Sequence, residues 1–166
     1  MNARGLILWI AAGILGLGWL YSRPVFVVAL FIILDIYKNI LEIKIPKQYL
    51  PIKISEIGII TASFMFSYVC GLVLVAVYIF NKIYFTRIKV EDLYDAPILM
   101  MVSLLADFLS LHNYIVIGIS LFVLRYILSS AAASMLSGEP LMQKIPGQVL
   151  NSAIAYYLFS NLAFII

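Results

Sequence analysis

Between Glu56 and Lys82 the chain runs for 25 residues, Ile57 to Asn81, without a charged side chain. A helix of that length, at about 1.5 Å per residue, exceeds the roughly 30 Å hydrocarbon core of a bilayer. The run has company. Gly5 to Ser22 and Gln148 to Ile166 are also uncharged, and Tyr114 to Ser137 carries only Arg125. Of the 166 residues, 64% are hydrophobic and 11% charged, against about 25% charged in a soluble domain. Such a chain cannot cover a water-facing surface with polar groups.

The pattern predicts an all-α fold, a polytopic integral membrane helical bundle forming one transmembrane domain over residues 1–166. Charges and prolines divide it into spans at 5–22, 24–41, 57–81, 96–111, 114–137 and 148–166. The second is the weak one. Asp35 and Lys38 interrupt it after eleven apolar residues, Pro24 to Leu34, so it crosses, re-enters or lies in the interface. The count is accordingly six helices or five. Arg4 followed by an apolar stretch resembles a signal peptide. However, the run is 18 residues long and Tyr21-Ser22-Arg23-Pro24 lacks a small-x-small cleavage site, so a retained first span is expected.

The connecting loops are expected at 42–56, 82–95 and 138–147. Pro46 and Pro51 break the first, whose lysines alternate with isoleucines as suits a chain lying along headgroups. The second ends in Asp92 and Asp95, placed to meet the positive N-terminus of a helix starting at Ala96 with Pro97 in its first turn. The net charge of +3 then reflects loops and anionic headgroups rather than nucleic acid. With six spans the basic residues divide five against five between the two sides, so they give no orientation. The expected setting is multi-pass in a plasma or cytoplasmic membrane. The expected partners are the lipid bilayer and either other membrane subunits or a second copy of the chain.

Small residues recur at helix-packing spacing: Ala12 and Gly16 in the first span, and Ser63, Ser67 and Gly71 along one face of the third. They let backbones approach closely, which matters where lipid supplies no hydrophobic drive for helix association. Such faces serve packing within the bundle or against another subunit.

An ionisable side chain inside hydrocarbon is costly and faces a partner or a wet cavity. Three qualify: Asp35, Asp107 and Arg125. Arg125 lies between uncharged stretches of 17 and 13 residues. If the fourth and fifth helices turn at His112-Asn113, Asp107 and Arg125 lie at depths of about 10 and 18 Å. An arginine side chain leaning toward its own N-terminus would then reach Asp107. The expectation is a buried Asp107–Arg125 pair, either fixing helix register or lining a path for protons, ions or substrate. Ser103, Asp107 and Ser110 share a face and extend the seam. Asn151 and Asn161 in the last span are expected to bond between helices, and His112 to be a wet turn residue.

Enzymatic chemistry finds little purchase. One histidine and one cysteine, Cys70, exclude a bis-histidine haem, an H-E-x-x-H zinc site and a CxxC redox pair. An intramembrane aspartyl dyad lacks its Gly-x-Gly-Asp, since Asp107 sits in Leu104-Leu105-Ala106-Asp107. No catalytic residue, metal or cofactor is expected. The function class indicated is a non-catalytic membrane subunit of a larger complex. The alternative is a small transporter, channel or substrate-binding component using Asp35, Asp107 and Arg125, and an intramembrane enzyme stands third.

Overall fold

The computed structural model describes residues 22–44, 53–85, 90–137 and 145–165. The first expected span, with Ala12 and Gly16, lies outside these residues. The described residues form six helices and no strand: α1 (Arg23–Lys44), α2 (Ile54–Met65), α3 (Tyr68–Phe85), α4 (Val90–Phe108), α5 (Tyr114–Ser137) and α6 (Ile145–Ile165). The chain is an all-α bundle.

The 25-residue uncharged run is not one helix. It breaks at Phe66-Ser67, where Phe66 adopts φ −122° and ψ −61°, and continues as a second helix. The break has no glycine or proline to announce it. Ser63 turns its hydroxyl back to the Ile59 carbonyl at 2.7 Å, a bond that competes with the helical ladder and bends helices. The Ser67 carbonyl then accepts the Cys70 and Gly71 amides to start α3.

The two halves fold back on each other. Ser55 near the start of α2 and Asn81 near the end of α3 bond the same carboxylate, while Ser63 meets Gly71 near the turn. Ser63, Ser67 and Gly71 therefore do not line one face of a continuous helix. Ser63 and Gly71 face each other across a hairpin. A Cβ added at Gly71 would collide with the hydroxyls of Ser63 and of Ser103 on α4. Those two hydroxyls bond each other at 2.8 Å, so the glycine makes room for a polar contact among α2, α3 and α4.

Successive helices alternate in direction. Phe31 of α1 packs at Gly58, and Asp35 bonds Ser55, so α1 and α2 are antiparallel. At the far end of α2, Thr61 meets Tyr114, the first residue of α5, at 2.8 Å. The Tyr114 ring also packs at a tilt against Phe64 and edge-on against Phe159 of α6.

α2 is the central helix. Every residue from Ser55 to Ser63 is buried. Ile57 and Ile60 face α4, α5 and α6 in one core. Ile59 and Ala62 face α1, α3 and α4 in the other.

α4 begins at Val90, not Ala96, so Pro97 sits inside the helix. Among the described residues one helix, over Tyr114–Leu136, is long and apolar enough to cross a membrane by length and composition. The shorter apolar helices Ile54–Met65 and Tyr68–Tyr84 are not.

Candidate functional site

Arg125 is the largest fully buried side chain among the described residues. It does not pair with Asp107. Its Nη2 lies 3.0 Å from Glu56 Oε1 and 2.9 Å from Asp95 Oδ2. The Arg125 guanidinium extends toward the C-terminal end of α5, away from the His112-Asn113 turn, as its shared partner with Ser129, Asp95, shows. There the N-terminal parts of α2 and α4 supply two carboxylates. Asp107 is half-buried, and its side chain makes no hydrogen bond or ion pair among the described residues.

Lys53, just before α2, closes the chain of charges. Its Nζ lies 3.0 Å from Glu56 Oε1, three residues on. Ser129, one turn after Arg125, donates to Asp95 Oδ1 at 2.7 Å. The order Lys53, Glu56, Arg125, Asp95 alternates in sign and sums to zero. Both cations also approach the Tyr126 ring, each 5.3 Å from its centroid. Burial is graded along it: the Glu56 and Arg125 side chains are each 2% exposed and that of Lys53 35%. Two buried polar atoms in this cluster, Glu56 Oε2 and Arg125 Nε, have no hydrogen-bond partner among the described residues.

A second network lies directly behind the first, because Ser55 and Glu56 are neighbours. Asp35, 5% exposed, receives the Ser55 hydroxyl on Oδ1. On Oδ2 it receives Asn81 Nδ2 at 2.7 Å and Asn39 Nδ2 at 3.4 Å. Its partners among the described residues are all neutral. Asp35 thus joins α1, α2 and α3 as Arg125 joins α2, α4 and α5.

The two networks form one polar layer across the bundle, at the N-terminal end of α2. The layer sits at mid-height of α5 and α1 and nearer the end of α3 and the start of α4. Arg125 is the twelfth residue of the 24 in α5, and Asp35 the thirteenth of the 22 in α1. α2, with 12 residues, is about 18 Å long. It runs from the Tyr114 end of the bundle only as far as this layer, so its first turn ends inside the molecule.

The remaining sequence-derived residues fall around the layer. Ser103 is buried and bonds Ser63, with a longer contact of 3.2 Å to the Tyr68 carbonyl. Asn151 is buried on α6. Asn161 is exposed and turned back onto the Tyr157 carbonyl at 2.7 Å, so it bonds within α6 instead of between helices. His112 is exposed in the α4–α5 turn. An apolar groove of about 330 Å³ between α1 and α3, lined by Pro24, Val28, Val69 and Cys70 among others, carries no titratable group other than Cys70.

Glu56, Asp95 and Lys53 went unrecognised in the sequence because each falls in a stretch read as a loop. The available signal was Arg125 itself, a charge that demands an acid, with Ser55-Glu56 abutting the longest apolar run. No family model, curated protein or solved structure matches this chain.

Proposed function

We propose that the chain is a multi-pass membrane protein that binds a small ion or solute at the polar layer and passes it across the bundle. The membrane part rests on an inverted distribution of side chains. Asp35, Glu56, Asp95, Arg125, Asn81 and Asn151 are buried, while Phe80, Tyr84, Phe108, Ile127, Met135 and Tyr157 are exposed. A water-soluble bundle places these classes the other way round, and apolar surface on this scale signals lipid or another membrane helix. α1, at about 33 Å, is long enough to cross with the others. That favours crossing for the segment that the sequence left between spanning and interfacial.

One observation carries the functional part. A short central helix ends at mid-height with charged and polar groups of five helices gathered at its tip. Non-helical backbone within a membrane is tolerated where it is buried in protein or lines a cavity, and interrupted helices with midplane polar sites are a recurring transporter design. A helix lock needs only the neutral chain from Lys53 to Asp95. It does not need the extra buried carboxylate of Asp35, whose cost has to be repaid by a role.

The test is reconstitution of the full chain into liposomes. Stopped-flow light scattering under solute gradients and a pH-sensitive internal dye would report entry of solutes and protons. Wild-type vesicles are expected to exceed both empty vesicles and vesicles carrying Asp35→Asn. A second reading, a non-catalytic subunit, is supported by the exposed apolar stripe of α3 at Val69, Val73, Phe80 and Tyr84. A stoichiometric partner retained in mild detergent, with vesicle permeability unchanged by the protein, would decide for that reading.

A further inference from the structure

The geometry points to a binding site for a small monovalent cation of the sodium class, built on Asp35. The inference rests on the ion-binding reading above and names its ligand.

The first argument is charge. The network of Lys53, Glu56, Arg125 and Asp95 is neutral within itself. Asp35 adds one carboxylate to the same layer, and no cation is among its partners in the described residues. Lys82, next to Asn81 in α3, places its Nζ over the Tyr78 ring at 5.5 Å. Among the described residues Asp35 is thus a carboxylate bonded only by neutral groups, in the interior, where a charge without a counter-ion is most expensive. The dipoles of the nearby helix ends do not remove it. The N-terminus of α2 and the C-terminal part of α3 lie side by side in the hairpin, and their partial charges are opposite.

The second argument is the donor set. Asp35 Oδ1 and Oδ2 and Ser55 Oγ are three oxygens already in contact. Asn39 and Asn81 present Nδ2 to the carboxylate. A half-turn of each carboxamide brings its Oδ1 to the same place. The result is a set of oxygens around one carboxylate, the two carboxamides beside Oδ2 and Ser55 Oγ beside Oδ1, drawn from α1, α2 and α3. Hard cations choose such all-oxygen shells. A single carboxylate matches one positive charge, whereas divalent and transition metals draw on several acids, histidines or cysteines. Among the described residues no three His, Cys, Asp or Glu side chains come together in that way. The shell also spans the joint between α1 and the α2–α3 hairpin, so filling it would draw those elements together.

The experiment measures the Tm of the full-length chain in mild detergent while sodium chloride replaces choline chloride at constant ionic strength. Wild type is expected to show a saturable, sodium-specific rise in Tm. Asp35→Asn, which keeps the shape and removes the charge, is expected to lose it. Asn81→Ala, with one ligand gone, is expected to need about tenfold more sodium for the same rise. Should Asp35→Asn fail to fold, Asn81→Ala and Ser55→Ala still test the site. Identical wild-type curves in sodium and choline overturn the proposal, as does a sodium-specific rise that survives Asp35→Asn or is unchanged in the ligand variants. Vesicle flux separates this from the broader reading. Flux without sodium stabilisation removes the cation site alone, and sodium stabilisation without flux keeps the site and removes transport.

Discussion

Arg125 touches two carboxylates at once, so its removal strands both. Arg125→Gln leaves Glu56 and Asp95 buried with one less cation between them. A broken buried pair costs about 3–5 kcal/mol, and the variant is expected to show a correspondingly large drop in Tm in detergent. Combining it with Glu56→Gln and Asp95→Asn removes the stranded charges and should recover most of that loss, because residues of one network are not additive. A triple variant as unstable as the single one would show that Arg125 is held for another reason. Asp107 supplies the counter-test. It is half-buried and unpaired among the described residues, so Asp107→Asn is expected to change stability by less than about 0.5 kcal/mol. A loss on the scale of Arg125→Gln would restore the pairing that the sequence suggested. The sequence marked Arg125 and Asp35 as interior because each interrupts an apolar run. Dividing the chain at its charges also pushed Glu56, Asp95 and Lys53 into loops by construction. A rule that ends helices at acids cannot find acids that lie inside helices.

Element boundaries were readable where composition changes sharply. The fifth expected span, 114–137, coincides with α5, because His112-Asn113 and the Gly138-Glu139-Pro140 stretch stop the pattern on both sides. The division of 57–81 was not readable, since Thr61-Ala62-Ser63-Phe64-Met65-Phe66-Ser67 holds no breaker residue. What ends α2 there is a serine back-bond together with room at Gly71, and that room exists only once α3 has folded back. The hairpin can be tested through that contact. Gly71→Ala forces a methyl group onto the Ser63 and Ser103 hydroxyls. Overpacking of this kind costs about 1–3 kcal/mol, and adding Ser63→Ala should return part of it. On a single straight helix, positions 63 and 71 would stand about 12 Å apart along the axis and their effects would simply add. A double-mutant cycle on Tm therefore separates the two arrangements: coupling supports the hairpin, and strict additivity sinks it.

The described residues form six helices that alternate in direction, five of them around the short central α2, with a polar layer gathered at the tip of that helix. Exposed apolar side chains lie on each of the long helices, from Val25 and Leu34 on α1 to Tyr156 and Tyr157 on α6. If the bundle spans a bilayer, the alternation fixes which helix ends share a side. The start of α4 and the end of α5 belong together, and the α4–α5 turn belongs opposite. Single cysteines at Val90, Ser137 and His112, in a Cys70→Ala background, put this to the test in sealed vesicles. A membrane-impermeant maleimide is expected to reach Val90→Cys and Ser137→Cys from one face and His112→Cys only from the other. Labelling of all three from the same face would mean that α4 and α5 lie along the membrane instead of through it. The polar layer would then open to water, and the physical case for a midplane ion site would be lost with it.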